Sequence, residues 1–173
     1  MQTKIPKFIP DKCPHEHCQQ TYSYAKDIAK GGALALIGIY NRVQIQGTND
    51  VYLPDITRKP EDFENGMDEM LSKGFITESM KNNISMLYFH GLVARVKGAK
   101  QSHVLITRKG ANLLRGEDIW KCIIRSKVTG ANLGPYTIAG KTNLKLLLKK
   151  NQPMWDYPRH DDEYWVDVDN SEF

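Results

Sequence analysis

The sequence predicts an α+β fold, mainly α, and three observations carry that expectation. Apolar residues recur at three and four spacing over residues 24–46, 60–73 and 77–88, the period of a helix with one buried face. Residues 92–96 and 103–107 instead alternate apolar and polar around a polar, basic stretch at 98–102, which reads as a small β-hairpin. Starts and stops fall at the joints: Pro60 and Thr77 where helices would begin, Lys73-Gly74 and Gly91 where they would end.

A chain of 173 residues is long enough for one domain of ordinary size with additions at its ends, stable without disulfide staples. Its 40% apolar and 25% charged content fits a soluble globular protein. The longest apolar run, residues 33–39 interrupted by Gly38, falls far short of the ~20 residues of a membrane helix. Lysines at 4, 7 and 12 precede no apolar segment, so no secretory signal is read and a cytoplasmic location is expected. The three cysteines, an odd number, suit a metal site or free thiols better than a disulfide framework.

The net charge of +4 conceals blocks. Residues 50–78 hold eight acids and three basic residues, residues 79–155 hold fourteen basic residues and two acids, and residues 156–173 hold seven acids and one arginine. A long basic block is either a solvated face or a surface that displaces counterions from nucleic-acid phosphates.

In order, residues 1–24 lack periodicity and carry prolines at 6, 10 and 14, as an extended arm would. Ile28, Leu34, Leu36, Ile37, Ile39, Tyr40 and Val43 define a core helix over 24–46, which the Gly31-Gly32 pair divides into a short piece and a main helix because glycine weakens a helix interior. Gly47, Asn49, Asp50 and Pro54 mark a loop, with one short strand around 51–53. Pro60 then opens a helix over 60–73, with Glu61, Asp62 and Glu64 in its first turn and Phe63, Met67, Met70 and Leu71 on its apolar face. Thr77 caps the next helix, which buries Met80, Ile84 and Leu87. The hairpin follows, and a fourth helix starts after Lys109-Gly110. Residues 119–128 either continue it or form another helix, with Trp120, Ile123 and Ile124 inward; residues 130–140 are loop-like. Residues 142–150 form a short basic helix with Leu144, Leu147 and Leu148 on one side. The acidic tail carries Trp155, Tyr157, Tyr164 and Trp165, and is either flexible or docked by its aromatics.

Leu87, Gly91-Leu92-Val93 and Arg95, a basic turn, then Val104, Ile106-Thr107, Lys109-Gly110 and Leu113-Leu114 together resemble the recognition helix and wing of bacterial and archaeal winged helix-turn-helix proteins of the MarR and PadR kind. Two departures stand out. The acid-arginine tip of the MarR wing is replaced by Lys97, Lys100 and Gln101, and the link between the first two helices is long. The chain then divides into an N-terminal arm over 1–24, the winged helix domain that the resemblance implies over 25–128, a C-terminal loop and short helix over 129–155, and an acidic aromatic tail over 156–173.

The resemblance also implies a DNA-binding face. With Met80, Ile84 and Leu87 buried, Ser79, Lys81, Asn82 and Ser85, with Asn83 beside them, point outward and are of types that bond base edges and phosphates. Arg95, Lys97, Lys100 and Arg108 on and beside the wing would contact backbone or minor groove. The expected partners are double-stranded DNA and a second copy, a homodimer formed through the 24–46 helix and the Trp120 region. The other reading is a winged helix that docks a protein, with the acidic tail as ligand or as a shield for the basic face.

Cys13, His15, His17 and Cys18 are four zinc-type donors within six residues, a candidate structural zinc site. A second knuckle is missing, so His90, His103, Cys122, His160 or another subunit would complete it; otherwise the arm carries incidental thiols. Gly140-Lys141-Thr142 echoes a phosphate-binding loop, but Pro135 stands where its first glycine belongs. No nucleophile has a supporting base, so no enzymatic activity is expected, and no small-molecule substrate is evident.

Overall fold

A computed structural model of the chain describes residues 23–95, 102–126, 132–149 and 165–167. The fold is α+β, with helices set against small antiparallel sheets.

The first described element is a strand, β1 (Ser23–Asp27), where the sequence predicts the start of a helix. Its partner lies far along the chain: β1 runs antiparallel to β6 (Cys122–Ser126), from Ser23 opposite Ser126 to Asp27 opposite Cys122. Only then does α1 (Lys30–Gln46) begin. The Gly31-Gly32 pair does not divide it. A methyl on Gly31 would sit 2.7 Å from the Asn83 amide nitrogen and one on Gly32 3.0 Å from the Met86 sulfur, so these glycines let another helix approach closely. Ala33, Leu36, Ile37, Ile39, Tyr40 and Val43 are all buried, which makes α1 the central helix of the core.

After α1 come β2 (Val51–Tyr52), the single turn α2 (Leu53–Ile56), a 3₁₀ turn at Pro60–Asp62, and α3 (Gly66–Ser72). The continuous helix predicted over 60–73 is thus interrupted. Phe63 adopts extended angles (φ −119°, ψ 137°) and its ring meets Phe75 at 5.6 Å; that aromatic contact prevails over local helix propensity.

Thr77 caps α4 (Glu78–Lys81) by accepting the Met80 amide, as expected. The predicted helix over 77–88 is nevertheless broken, and α5 (Ile84–Phe89) starts afresh. At the break the Asn83 amide bonds Met80 oxygen at 2.9 Å, a tightened turn, while its side chain donates to Ser79 oxygen at 3.0 Å. The asparagine side chain takes a carbonyl that the helix ladder would otherwise use. Gly91, at φ 74°, ends α5.

The hairpin forms as β3 (Val93–Arg95) and β4 (His103–Ile106). β2 adds to the far edge of β4, so the sheet order is β2–β4–β3. Thr107 caps α6 (Arg108–Leu114). Of the stretch expected to be helical over 119–128, the described residues 119–126 are not helical: β5 (Ile119–Trp120) pairs with β8 (Lys141–Thr142), and β6 is the middle strand between β1 and β7 (Asn132–Pro135), the latter in a stretch expected to be loop. Cys122, Ile123, Ile124 and Arg125 are all buried. A short apolar run covered on both faces has no period to separate strand from helix. The basic helix appears as α7 (Leu144–Leu148), capped by Asn143, with Leu144, Leu147 and Leu148 inward as predicted.

One apolar core joins α1, the β2–β4–β3 sheet, α3 to α7 and the C-terminal Trp165. Trp165 is 3% exposed and lies 5.9 Å from the Tyr40 ring, so this aromatic, of those in the tail, is docked on the core. No helix among the described residues is long and apolar enough to cross a membrane.

Candidate nucleic-acid interface

The outer face of α4 and α5 is fixed by what lies beneath it. Met80, Ile84 and Leu87 are buried, which leaves Ser79, Asn82 and Ser85 exposed across the two short helices and the turn between them. Asn83 is half-buried and closes that turn. Lys81 is half-buried, its ammonium 3.1 Å from the Glu78 carboxylate. Exposed pairs of this kind contribute at most about 1 kcal/mol, so a phosphate can exchange for Glu78.

Arg95, opposite Val104 in the hairpin, is exposed, with its guanidinium 4.6 Å from the Tyr88 ring. The cation over an aromatic face fixes the orientation of the guanidinium. Burial raises the Tyr88 hydroxyl pKa, against the opposing charge of Arg95. The structure therefore brings Ser79, Asn82, Ser85 and Arg95 onto α4, α5 and the strand that follows them. Lys97 and Lys100 lie outside the described residues.

Arg108 goes elsewhere. It follows β4 at the end of the hairpin remote from Arg95, and its Nε donates to the Asp167 carboxylate at 2.9 Å. The C-terminal segment is stitched to the same place: Arg108 nitrogen donates to Val166 oxygen at 2.9 Å and Val166 nitrogen to Ile106 oxygen at 3.3 Å.

Two basic-aromatic groupings were not read from the sequence. Arg42 and Arg58 both face the Phe75 ring, at 4.6 and 4.8 Å; Arg42 also donates to the Gly74 and Lys73 carbonyls, and burial followed by repulsion from Arg58 lowers its pKa. Arg125 is 2% exposed, donates to the Phe89 carbonyl at 2.9 Å and stands 5.4 Å from that ring. Both depend on pairings distant in sequence, and no local signal announces them.

The candidate zinc ligands Cys13, His15, His17 and Cys18, with His160, lie outside the described residues. Of the proposed completing ligands, His90 is buried with Nε2 3.1 Å from the Lys26 carbonyl, and burial, then the charge of Lys109, pushes its pKa down to about 3. His103 Nδ1 is 3.0 Å from the Asp50 carboxylate. The Cys122 thiol is pushed up to about 12 by burial and by Asp27. Among the described residues no three His, Cys, Asp or Glu side chains gather as a metal site. Gly140-Lys141-Thr142 precedes no phosphate-binding helix: Lys141 and Thr142 form β8, and the Lys141 ammonium lies 4.8 Å from the Trp120 ring.

Comparison with protein-family models, with curated proteins and with solved structures finds no match to this chain.

Proposed function

We propose that the chain is a winged-helix protein that binds double-stranded DNA in a sequence-specific manner, as a transcriptional regulator or as an accessory of replication or of a mobile element. The observation that carries this reading is the order β2–β4–β3, in which a strand after the first helix pairs with the returning strand of a hairpin that directly follows α4 and α5. That order is how a winged helix mounts its wing beside its recognition helix. Its exposed Ser79, Asn82 and Ser85 would face base edges, and Arg95 the backbone. Short helices bury little surface on DNA, so a homodimer reading two half-sites belongs to the proposal.

Fluorescence anisotropy against a selected DNA pool at low salt tests it. Lys81→Ala with Asn82→Ala should relax sequence preference, whereas removing Arg95, Lys97 and Lys100 should weaken all sequences alike and flatten the salt dependence. Undetectable binding, or binding that none of these changes alters, rejects the reading.

A second reading draws on the Arg108–Asp167 pair: the domain docks proteins, and the acidic C-terminal segment is its built-in ligand or a shield over basic residues. Asp167→Asn separates the two readings without removing Trp165 from the core. Raised DNA affinity supports the shield, and unchanged affinity counts against it.

A further inference from the structure

A cleft of about 420 Å³ opens where α6, the 115–118 connection, β5, β8 and the Val166–Asp167 segment meet. Most charges that line it have partners. Arg108 holds Asp167 at 2.9 Å, Asp118 accepts the Asn143 side chain at 2.9 Å, and Lys141 lies over Trp120. Two do not. Lys109 is half-buried and makes no hydrogen bond or ion pair with the described residues; burial, then the charge of Arg125, lowers its pKa. Glu117 lines the same cleft, exposed, and its carboxylate likewise has no partner among the described residues. A partly buried cation is costly to leave uncompensated, and Glu117 lines the same cleft.

Such a cleft is complementary to a molecule with a negative and a positive end. Half-buried Trp120 and buried Ile119 line the same cleft, as small-molecule sites commonly combine a few polar anchors with apolar lining. We propose that this cleft binds a free α-amino acid with an apolar side chain, its carboxylate on Lys109, its ammonium on Glu117 and its side chain against Trp120. The site uses none of the residues assigned to the DNA face except Arg108, which Asp167 already occupies, so it stands or falls independently of the DNA-binding reading.

Isothermal titration calorimetry on the full chain tests it, with L-phenylalanine and L-leucine as probes and 3-phenylpropanoate and phenethylamine as analogues lacking one charge each. Saturable binding of at least one amino acid is expected. Each single-charge analogue should bind at least about tenfold more weakly, the loss of one charge-assisted hydrogen bond. Lys109→Met should abolish binding and Glu117→Gln weaken it about tenfold; because Glu117 is exposed, the second variant decides the matter should the first fail to fold. No heat with either amino acid at millimolar concentration overturns the proposal. So does 3-phenylpropanoate binding as tightly as phenylalanine, or wild-type affinity in folded Glu117→Gln.

Discussion

The Thr107 hydroxyl donates to the Gly91 carbonyl at 2.7 Å and accepts from the Gly110 amide at 3.0 Å. One side chain therefore ties the residue that ends α5 to the first turn of α6, across the base of the hairpin. Thr107 is fully enclosed, and Thr107→Val leaves a buried carbonyl and a buried amide unpartnered. The expected loss is about 2–4 kcal/mol from two orphaned groups, whereas Thr107→Ser keeps both bonds and should lose about 1 kcal/mol for the missing methyl. Urea denaturation of the two variants checks the ranking; equal losses would mean that the hydroxyl bonds contribute little.

Gly110 sits against the Leu92 backbone so closely that a Cβ there would collide with the Leu92 carbonyl oxygen, the same oxygen that accepts the Thr107 amide at 3.2 Å. A methyl cannot be absorbed by a side-chain rotation, because its neighbour is main chain. Gly110→Ala should destabilise by about 2–3 kcal/mol, as overpacking does, despite alanine's better helix propensity. A thermal midpoint at or above that of the parent would contradict the geometry.

His90 links stability to pH. The neutral ring donates Nε2–H to the Lys26 carbonyl, while Nδ1 has no hydrogen-bond partner among the described residues, an arrangement that disfavours the charged form. Because the folded pKa is about 3 against an ordinary 6.5, the stability associated with the neutral ring is complete above pH 6.5 and is lost as pH falls from there towards 3. The full loss is about 4–5 kcal/mol, from 1.36 kcal/mol per pKa unit. His90→Gln retains a donor without the titration, so its stability should fall less between pH 6.5 and pH 4. Parallel pH curves for the two proteins would remove His90 as the cause.

Trp165 and Asp167 should differ sharply although they are neighbours. Trp165 fills the core beside Tyr40, and Trp165→Ala should cost about 3–5 kcal/mol. Asp167 is largely exposed, with 79% of its side chain accessible, and Asp167→Asn should cost less than about 1 kcal/mol. Chemical denaturation distinguishes them; a destabilising Asp167→Asn as large as Trp165→Ala would mean that the ion pair, not the indole, anchors the C-terminal segment.

What the sequence by itself determined is local or short in range. Thr77 as a cap, Gly91 as a stop, the hairpin of β3 and β4, the inward set Met80, Ile84 and Leu87, and the leucines of α7 all follow from period and capping chemistry within a dozen residues. Tertiary structure alone decided the rest. β1 and β6 are strands because residues about a hundred positions apart pair edge to edge, and an unbroken apolar run such as Cys122-Ile123-Ile124 has no local period to reveal it. The Gly31-Gly32 pair reads as a helix break until Asn83 and Met86 are placed against it. Phe63 leaves the helical path for Phe75, and Arg108 turns to Asp167 rather than to the outer face, because both partners are brought near only by the fold. The polar face of α4 and α5 was legible because burial of one side of a helix defines the other. The cleft with Lys109 and Glu117 was not: it exists only where separated segments converge, and a charge's missing partner cannot be read from its neighbours in the chain.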